Sequence, residues 1–441
     1  MFILSLSAPK KKRYHLAWYL QLISLSANKI VFFSAAVLFR LMLDASYYLV
    51  ISVAFASDGY AFDFSMSHLL WSWIIYLVAF AFVGDRLFKV SDYFFATALL
   101  AVTAPLTSLY GLDSARPVLP VLIVVISVFF IYLITRLKLI SFQGMLLVKN
   151  GKGISIGISL LFVAFLVVWY SVSGARFNLD LSKVYDVRAE NAELAAGGLL
   201  AYTNNWTYQI FNIFLMAVAL LYKRYISFAI LFIVQVYFFA ASAHKSILFL
   251  PFLIIGVWFY FRKTSSLAVL PIMFTGVIIA TLLSYFIFDD LWLSSLFSRR
   301  VFYVPADLTF VYFEFFADNP KIFWSNSVLS GFFTYPYDLS LAHVVGRYLG
   351  KEGMGANNGF IASGYAHAGL FGVFVYALIV GFILRFINDI TYKTLPVWLA
   401  VALSIVPLRT LLISSDLFTV MLTHGFIVAI FLIFLARSKH A

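Results

Sequence analysis

The sequence predicts an all-α polytopic membrane protein, and three observations predict it. Hydrophobic residues make up 63% of the chain and charged residues only 11%. The few charges fall in clusters between apolar runs of about twenty residues, the length that crosses about 30 Å of hydrocarbon as a helix. The 49 Phe and 26 Tyr suit a lipid-facing and interfacial surface. A chain of 441 residues then needs no division into soluble domains and is expected as a single integral membrane domain, 1–441.

In chain order, residues 1–29 carry Lys10, Lys11, Lys12 and Arg13 with no small-residue cleavage site after a short apolar core. They are expected as a retained cytoplasmic tail, with 14–28 a possible interfacial helix. About twelve spans follow, near 30–56, 67–84, 93–112, 117–135, 154–172, 206–222, 225–242, 246–261, 267–288, 359–386, 395–412 and 418–436. With the tail inside and the spans alternating, about eighteen of the 31 basic residues fall on inner connections, among them Arg86, Lys138, Lys223, Arg262, Arg385 and Lys439. Both termini are then cytoplasmic.

The run from Tyr225 to Phe261 would be about 55 Å long as one helix, too long for one crossing. Both its flanks are basic, so the chain must turn near its middle, at His244-Lys245-Ser246, and place those residues at the outer face. In the first span Arg40 and Asp44 stand four apart and can pair on one face; a structural ion pair is favoured over an ion pathway.

Two outer segments, 173–205 and 289–358, are too long to be mere connections and too rich in aromatic residues to be low-complexity. The second holds five basic and seven acidic residues, so any anion site must rest on particular side chains. In the first, Tyr185, Asp186, Arg188 and Glu190 fall within two helical turns, preceded by Arg176. A solvated segment with local Arg–Glu pairs and an anion-binding segment are equally open readings. In the second, Arg299 and Arg300 precede Pro305, which suits a first helical turn, and Asp307 and Glu314 follow seven apart. Adjacent arginines act as headgroup anchors or as bidentate ligands of a diphosphate; Arg347 adds a further cation.

Gly353-Met-Gly-Ala-Asn-Asn-Gly359 precedes a span whose N-terminus points outward. Glycine-rich turns at helix N-termini bind anions through free N–H groups and the dipole, although Asn357 or Asn358 alone makes an ordinary N-cap. Gly364, Ala368 and Gly372 recur every fourth residue, a stripe expected to pack against another helix. Tyr365 and His367 lie beside it. There is no cysteine, no Walker A motif, no HExxH and no GxSxG; Asp289-Asp290 is a weak metal signal, so no metal and no cofactor is expected. The net charge of +12 reads as loop charge in a membrane protein, not as nucleic-acid binding.

The ensemble of Tyr185-Asp-Val-Arg188, His244-Lys245, Arg299-Arg300 and Gly355-Ala-Asn-Asn-Gly-Phe-Ile-Ala-Ser-Gly-Tyr-Ala-His-Ala-Gly369 resembles the bacterial O-antigen polymerases (Wzy-type), over most of the chain. That resemblance implies a glycosyltransferase-C-like membrane enzyme of the bacterial inner membrane that joins repeat units at the periplasmic face. Its substrates would be undecaprenyl-diphosphate-linked oligosaccharides, and a chain-length regulator protein its partner. Arginines would bind the diphosphate, and His367 is slightly preferred over Asp307 as the base, with His343, Glu314 and Glu190 behind them. The related O-antigen ligases, and a lipid-linked oligosaccharide flippase, are the alternatives. A flippase would need charges lining the middle of its spans, where they are sparse: Arg40, Asp44 and Arg409.

Overall fold

The computed structural model describes residues 28–137, 141–180, 183–195 and 198–438. The basic tail, the interfacial helix expected before the first span, Lys138 and Lys439 lie outside them. Among the described residues the fold is all-helical, with two isolated bridges, Asp63 to Asp113 and Arg86 to Ser266, and no strand. Eight helices are long and apolar enough to cross a membrane. They are α1 (Lys29–Ala54), α3 (Val90–Leu112), α4 (Val118–Arg136), α5 (Gly151–Val172), α8 (Tyr225–Ser242), α9 (Lys245–Lys263), α10 (Val269–Phe288) and α13 (Phe360–Thr391). Shorter apolar helices are α2 (Met66–Phe80), α14 (Val397–Ile413) and α16 (Phe426–Leu435). α6 (Val184–Ala195) belongs to the first long segment, as does the start of α7, which runs from Leu200–Trp206 through a wide π-helical stretch, Thr207–Phe211, into Asn212–Leu221. The second long segment contributes α11, wide over Ser294–Tyr303 and regular over Val304–Asp318, and α12 (Leu341–Tyr348). α15 is Leu417–Leu422.

α3 is the buried axis of the bundle, with its apolar window wholly enclosed. Its wide stretch, Ala98–Thr103, comes directly before Pro105. Proline has no N–H and its ring crowds the carbonyl four residues back, here Ala101, so the widened turn absorbs the misfit. The Arg40–Asp44 ion pair sits against this axis. Arg40 is fully buried, donates to Thr107 (3.3 Å) and Ser72 (3.2 Å) and lies 5.0 Å from the Trp73 ring centroid. Asp44 accepts from Ser108 at 2.5 Å. These partners tie α1, α2 and α3 together, the structural role expected of the pair.

Contacts between connections define two ends of the bundle. At one, Leu87 N donates to Ser265 O, Phe142 N to Asp389, Lys152 to the Tyr222 hydroxyl and Arg437 to the Leu146 carbonyl. At the other, Ser114 N donates to Asp63 O, Arg116 to Gly59 O, Asn178 N to Ala240 O and Lys351 to Asp58. Both long segments gather at this second end. The turn between α8 and α9 is there too: Ala243 is left-handed (φ 53°) and closes α8 by donating to Phe239 O at 2.8 Å. The long apolar run breaks at the place its length requires.

Two expected spans are not single helices. The segment 359–386 lies within α13, which reverses at Ala368 (φ −151°, ψ 32°) and Gly369 (φ 61°, ψ −142°). Gly364 and Gly372, on either side of the break, touch so closely that a Cβ on Gly372 would overlap the Gly364 carbonyl oxygen. The small-residue stripe therefore packs α13 against itself, not against another helix, and only the part after the break is free to cross. The segment 418–436 divides into α15 and α16 at Gly425 (φ 71°), which sits tight against Trp206.

Candidate functional site

A cavity of about 580 Å³ opens at the end where the long segments gather. That volume is in the range of small-molecule sites. Its walls come from α6 (Arg188, Asn191), α7 (Asn204, Asn205, Tyr208, Gln209), the α8–α9 turn (Ser242, His244, Ser246) and the α15–α16 turn (His424), with Tyr170 of α5. Arg188 and His244, both singled out from sequence, meet here although they are 56 residues apart. Arg188 donates to the carbonyl of Ala243 at 3.1 Å, so the guanidinium also fixes the turn that carries His244. Burial, and then the Arg188 charge, push the His244 imidazole down to about 4. It is therefore neutral at physiological pH. Burial pushes His424 down as well. Among the described residues the lining contains no carboxylate.

Asn191 anchors this wall. Its amide accepts from Arg176 N (3.0 Å) and donates to the carbonyls of Arg176 and Ala241 (both 2.8 Å). Arg176 itself pairs with Glu190 at 2.7 Å in an exposed position, the local Arg–Glu pairing left open from sequence. Tyr185 lies in the first turn of α6, and Lys245 is the exposed first residue of α9.

The remaining candidates lie apart from the cavity lining. Arg299 pairs with Asp58 at 2.5 Å, and Lys351 pairs with the other oxygen of the same carboxylate at 2.9 Å. Lys351 and then Arg299 hold Asp58 below the usual carboxylate range, against the effect of partial burial. Arg299 also stacks over Phe55, 4.7 Å from its centroid. Arg299 thus meets Lys351, two residues before the glycine-rich segment, through Asp58, already neutralised, whereas Arg300 is exposed and makes no ion pair among the described residues. Arg347 pairs with Asp338 in solvent at 2.8 Å. The expected convergence of arginines on one diphosphate is not the arrangement found.

Nor is the glycine-rich turn an open anion cradle. Gly359 caps α13 and packs against the Leu411 and Leu412 carbonyls, and Phe360 to Ser363 are buried. Carbonyl oxygens therefore stand where an anion would have to enter. Asn358 turns to Thr309 (3.1 Å), and Asn357 is exposed; neither is the helix cap.

His367 is not placed as a base. It is 1% exposed, Trp324 N donates to its Nδ1 at 3.1 Å, and Nε2 meets Asp416 Oδ2 at 3.0 Å. With Nδ1 accepting, the neutral ring carries its proton on Nε2 and donates it to Asp416. Both nitrogens are occupied. The Trp324 indole stacks on the imidazole, 5.1 Å between centroids, and donates to the Tyr376 hydroxyl, which donates to Asp416 at 2.7 Å. Burial alone raises the Asp416 carboxyl, but interaction with His367, Tyr376 and the Phe418 N–H brings it below its usual range. Tyr365 stacks on Phe313 at 4.1 Å, a packing role.

Asp307 is ion-paired with Arg116 at 2.8 Å, and Arg116 also holds Asp113 (2.9 Å). Burial pushes Asp307 up while Arg116 opposes it. Glu314, expected on the same face, is exposed and accepts from Tyr348 (2.6 Å). Among the described residues no cluster of three His, Asp or Glu side chains could hold a metal ion.

Sequence reasoning missed Asn204, Gln209 and His424 in the cavity, and Trp324, Tyr376 and Asp416 around His367. A signal for the first group was present: Thr203-Asn-Asn-Trp-Thr-Tyr-Gln209 is a polar cluster entering an apolar helix, with residues four apart on shared faces. Comparison with family models, curated proteins and solved structures gives no significant match.

Proposed function

We propose that this protein is a metal-independent polymerase of polyprenyl-diphosphate-linked oligosaccharides, of glycosyltransferase-C-like type. It works at the periplasmic face of the bacterial inner membrane, with about twelve crossings and both termini cytoplasmic. The observation that carries the reading is the union of Arg188 and His244, from separate parts of the chain, in one polar cavity at the end holding both long segments. The concentration of basic residues at the opposite end supports the orientation.

In this reading a hydroxyl of the acceptor's terminal sugar attacks the anomeric carbon of the donor glycan. The new C–O bond forms as the anomeric bond to the diphosphate breaks, and the bonding pair leaves on the diphosphate oxygen. Arg188 stabilises that developing charge through a planar fork suited to phosphate oxygens. His244, neutral and facing the same space, accepts the hydroxyl proton. The incoming diphosphate offsets the Arg188 charge and so strengthens His244 as a base. A chain-length regulator is the expected partner.

The test is a lipopolysaccharide gel from a deletion strain, complemented with wild-type protein or Arg188→Ala. A single capping repeat in the deletion, restored to a ladder only by the wild type, supports the polymerase. Loss of every O-antigen band points to a ligase or flippase, and an unchanged ladder with Arg188→Ala removes this cavity as the site.

A further inference from the structure

The cavity has one wall that the proposed chemistry leaves unused. Asn204 is only 4% exposed, lines the cavity, and among the described residues neither its amide nitrogen nor its amide oxygen has a hydrogen-bond partner. Leaving one such group unmet costs about 1–3 kcal/mol, and here a donor and an acceptor are unmet side by side. The neighbouring Gln209 Oε1 and Ser242 Oγ, also lining the cavity, are likewise buried and unpartnered. Asn212, two turns beyond Asn204 on α7 and outside the cavity, donates to Gln235 at 2.6 Å and to Leu231 O at 3.1 Å and leaves only its oxygen unmet, whereas Asn204 leaves both its donor and its acceptor unmet.

The fold brings these groups forward. Asn204 and Asn205 recur four residues later as Tyr208 and Gln209, so two adjacent ridges of α7 face the cavity. The helix widens over Thr207–Phe211, the stretch that carries Tyr208 and Gln209, a distortion that proteins place at functional sites. Asn205 Oδ1 accepts from Tyr208 OH (2.6 Å) and from Gln209 Nε2 (3.4 Å), which holds the Gln209 side chain with its oxygen directed elsewhere.

We infer that the Asn204–Gln209–Ser242 wall is a subsite for an uncharged sugar ring that presents a paired donor and acceptor, as an acetamido group or a vicinal diol does. This rests on the glycan-polymerase reading and deepens it: Arg188 marks the charged end of the cavity, and the amide wall reads the adjoining sugar. Asn204, Gln209 and Ser242 are uncharged, so this wall selects by hydrogen bonding. A site that hydrogen-bonds a substrate discriminates strongly against analogues that leave its groups unmet.

The experiment is saturation-transfer NMR on the full chain in detergent micelles, with the methyl glycosides of N-acetylglucosamine and of glucose as separate probes. At least one should receive saturation from the wild type, and the stronger identifies which group is read. Asn204→Leu, and the isosteric Asn204→Asp, should each weaken that probe roughly five- to a hundredfold. The Asp variant keeps side-chain shape, and its elution as a monodisperse species guards against misfolding as the cause. No saturation of either probe by the wild type, or equal saturation of the favoured probe by both variants, overturns the subsite. The gel phenotype tests polymerisation independently, so a failed subsite and a failed polymerase reading are told apart.

Discussion

The His367 imidazole and the Asp416 carboxylate meet at 3.0 Å across 49 residues of chain, and Tyr376 donates to the same Asp416 oxygen at 2.7 Å. Asp416 Oδ1 meanwhile accepts from Phe418 N at 2.8 Å and so caps α15. One carboxylate therefore joins the reversal in α13 to the helix that follows α14. Removing one member leaves the others buried with unmet hydrogen-bonding groups.

His367→Ala is accordingly expected to lower stability by about 2–4 kcal/mol, because it strands Asp416 and the Trp324 N–H. His367→Gln should recover part of the loss, since its amide can both donate and accept. Thermal unfolding in detergent measures both. A polymer ladder that is lost while the His367→Ala protein unfolds at the wild-type temperature would return His367 to the chemistry.

Gly372→Ala should be severe, about 3 kcal/mol or more by overpacking, because its Cβ meets the Gly364 carbonyl with no flexible side chain to yield. Gly157→Ala, in α5 with open space around the added Cβ, should be neutral or stabilising by about 1 kcal/mol. Equal effects at the two positions would show that α13 does not fold back on itself.

The His244 imidazole is held down to about 4 by burial first and Arg188 second. A depressed base favours the fold in its neutral form. The unfolded chain takes up this proton as pH falls below about 6.5, while the folded chain does not until about 4. Stability should therefore be full above about pH 6.5 and decline between there and about 4, by roughly 1–3 kcal/mol for this partly buried group. His244→Gln should flatten that part of the profile, and Arg188→Ala should shrink the decline. A slope in the same window that both variants leave unchanged would assign it to another group.

The α8–α9 turn and the far end of α9 should lie on opposite sides of the membrane. Single cysteines at Ser246 and at Lys263 are readily compared, since the sequence holds no other cysteine. An impermeant maleimide added outside should label the first and spare the second. Labelling at Lys263 alone would invert the proposed orientation.

The helical class, the turn at Ala243 and the Arg40–Asp44 pair were legible because each follows from length, periodicity or i,i+4 spacing. Arg188 and His244 were legible as exceptions to an apolar background. Their meeting was not, because it depends on how α6 lies across the α8–α9 turn. The stripe of Gly364 and Gly372 was visible, but its partner was misread: close packing of small residues is local chemistry, whereas the reversal at Ala368–Gly369 is not marked by any proline. The glycine-rich turn before Phe360 carried the right composition for an anion site, yet the Leu411 and Leu412 carbonyls that close it come from fifty residues later. Asp416 escaped notice for the same reason.

The reversal in α13 also sets an order of assembly. When residues 360–391 leave the ribosome, they form an apolar stretch of 32 residues, about 48 Å if straight, longer than the membrane is thick. The residues already synthesised hold the first eight only from one side, through Ile322 N to Ala366 O, Phe323 N to His367 O, Trp324 N to the His367 ring and the Phe313–Tyr365 stack. The other side is fastened by Asp416 and by the carbonyl end of α14, which follow in the chain. Nascent chains halted before Asp416 and after it should therefore differ in protease protection around residues 360–369, which makes α14 and the start of α15 the elements that finish the earlier half-turn.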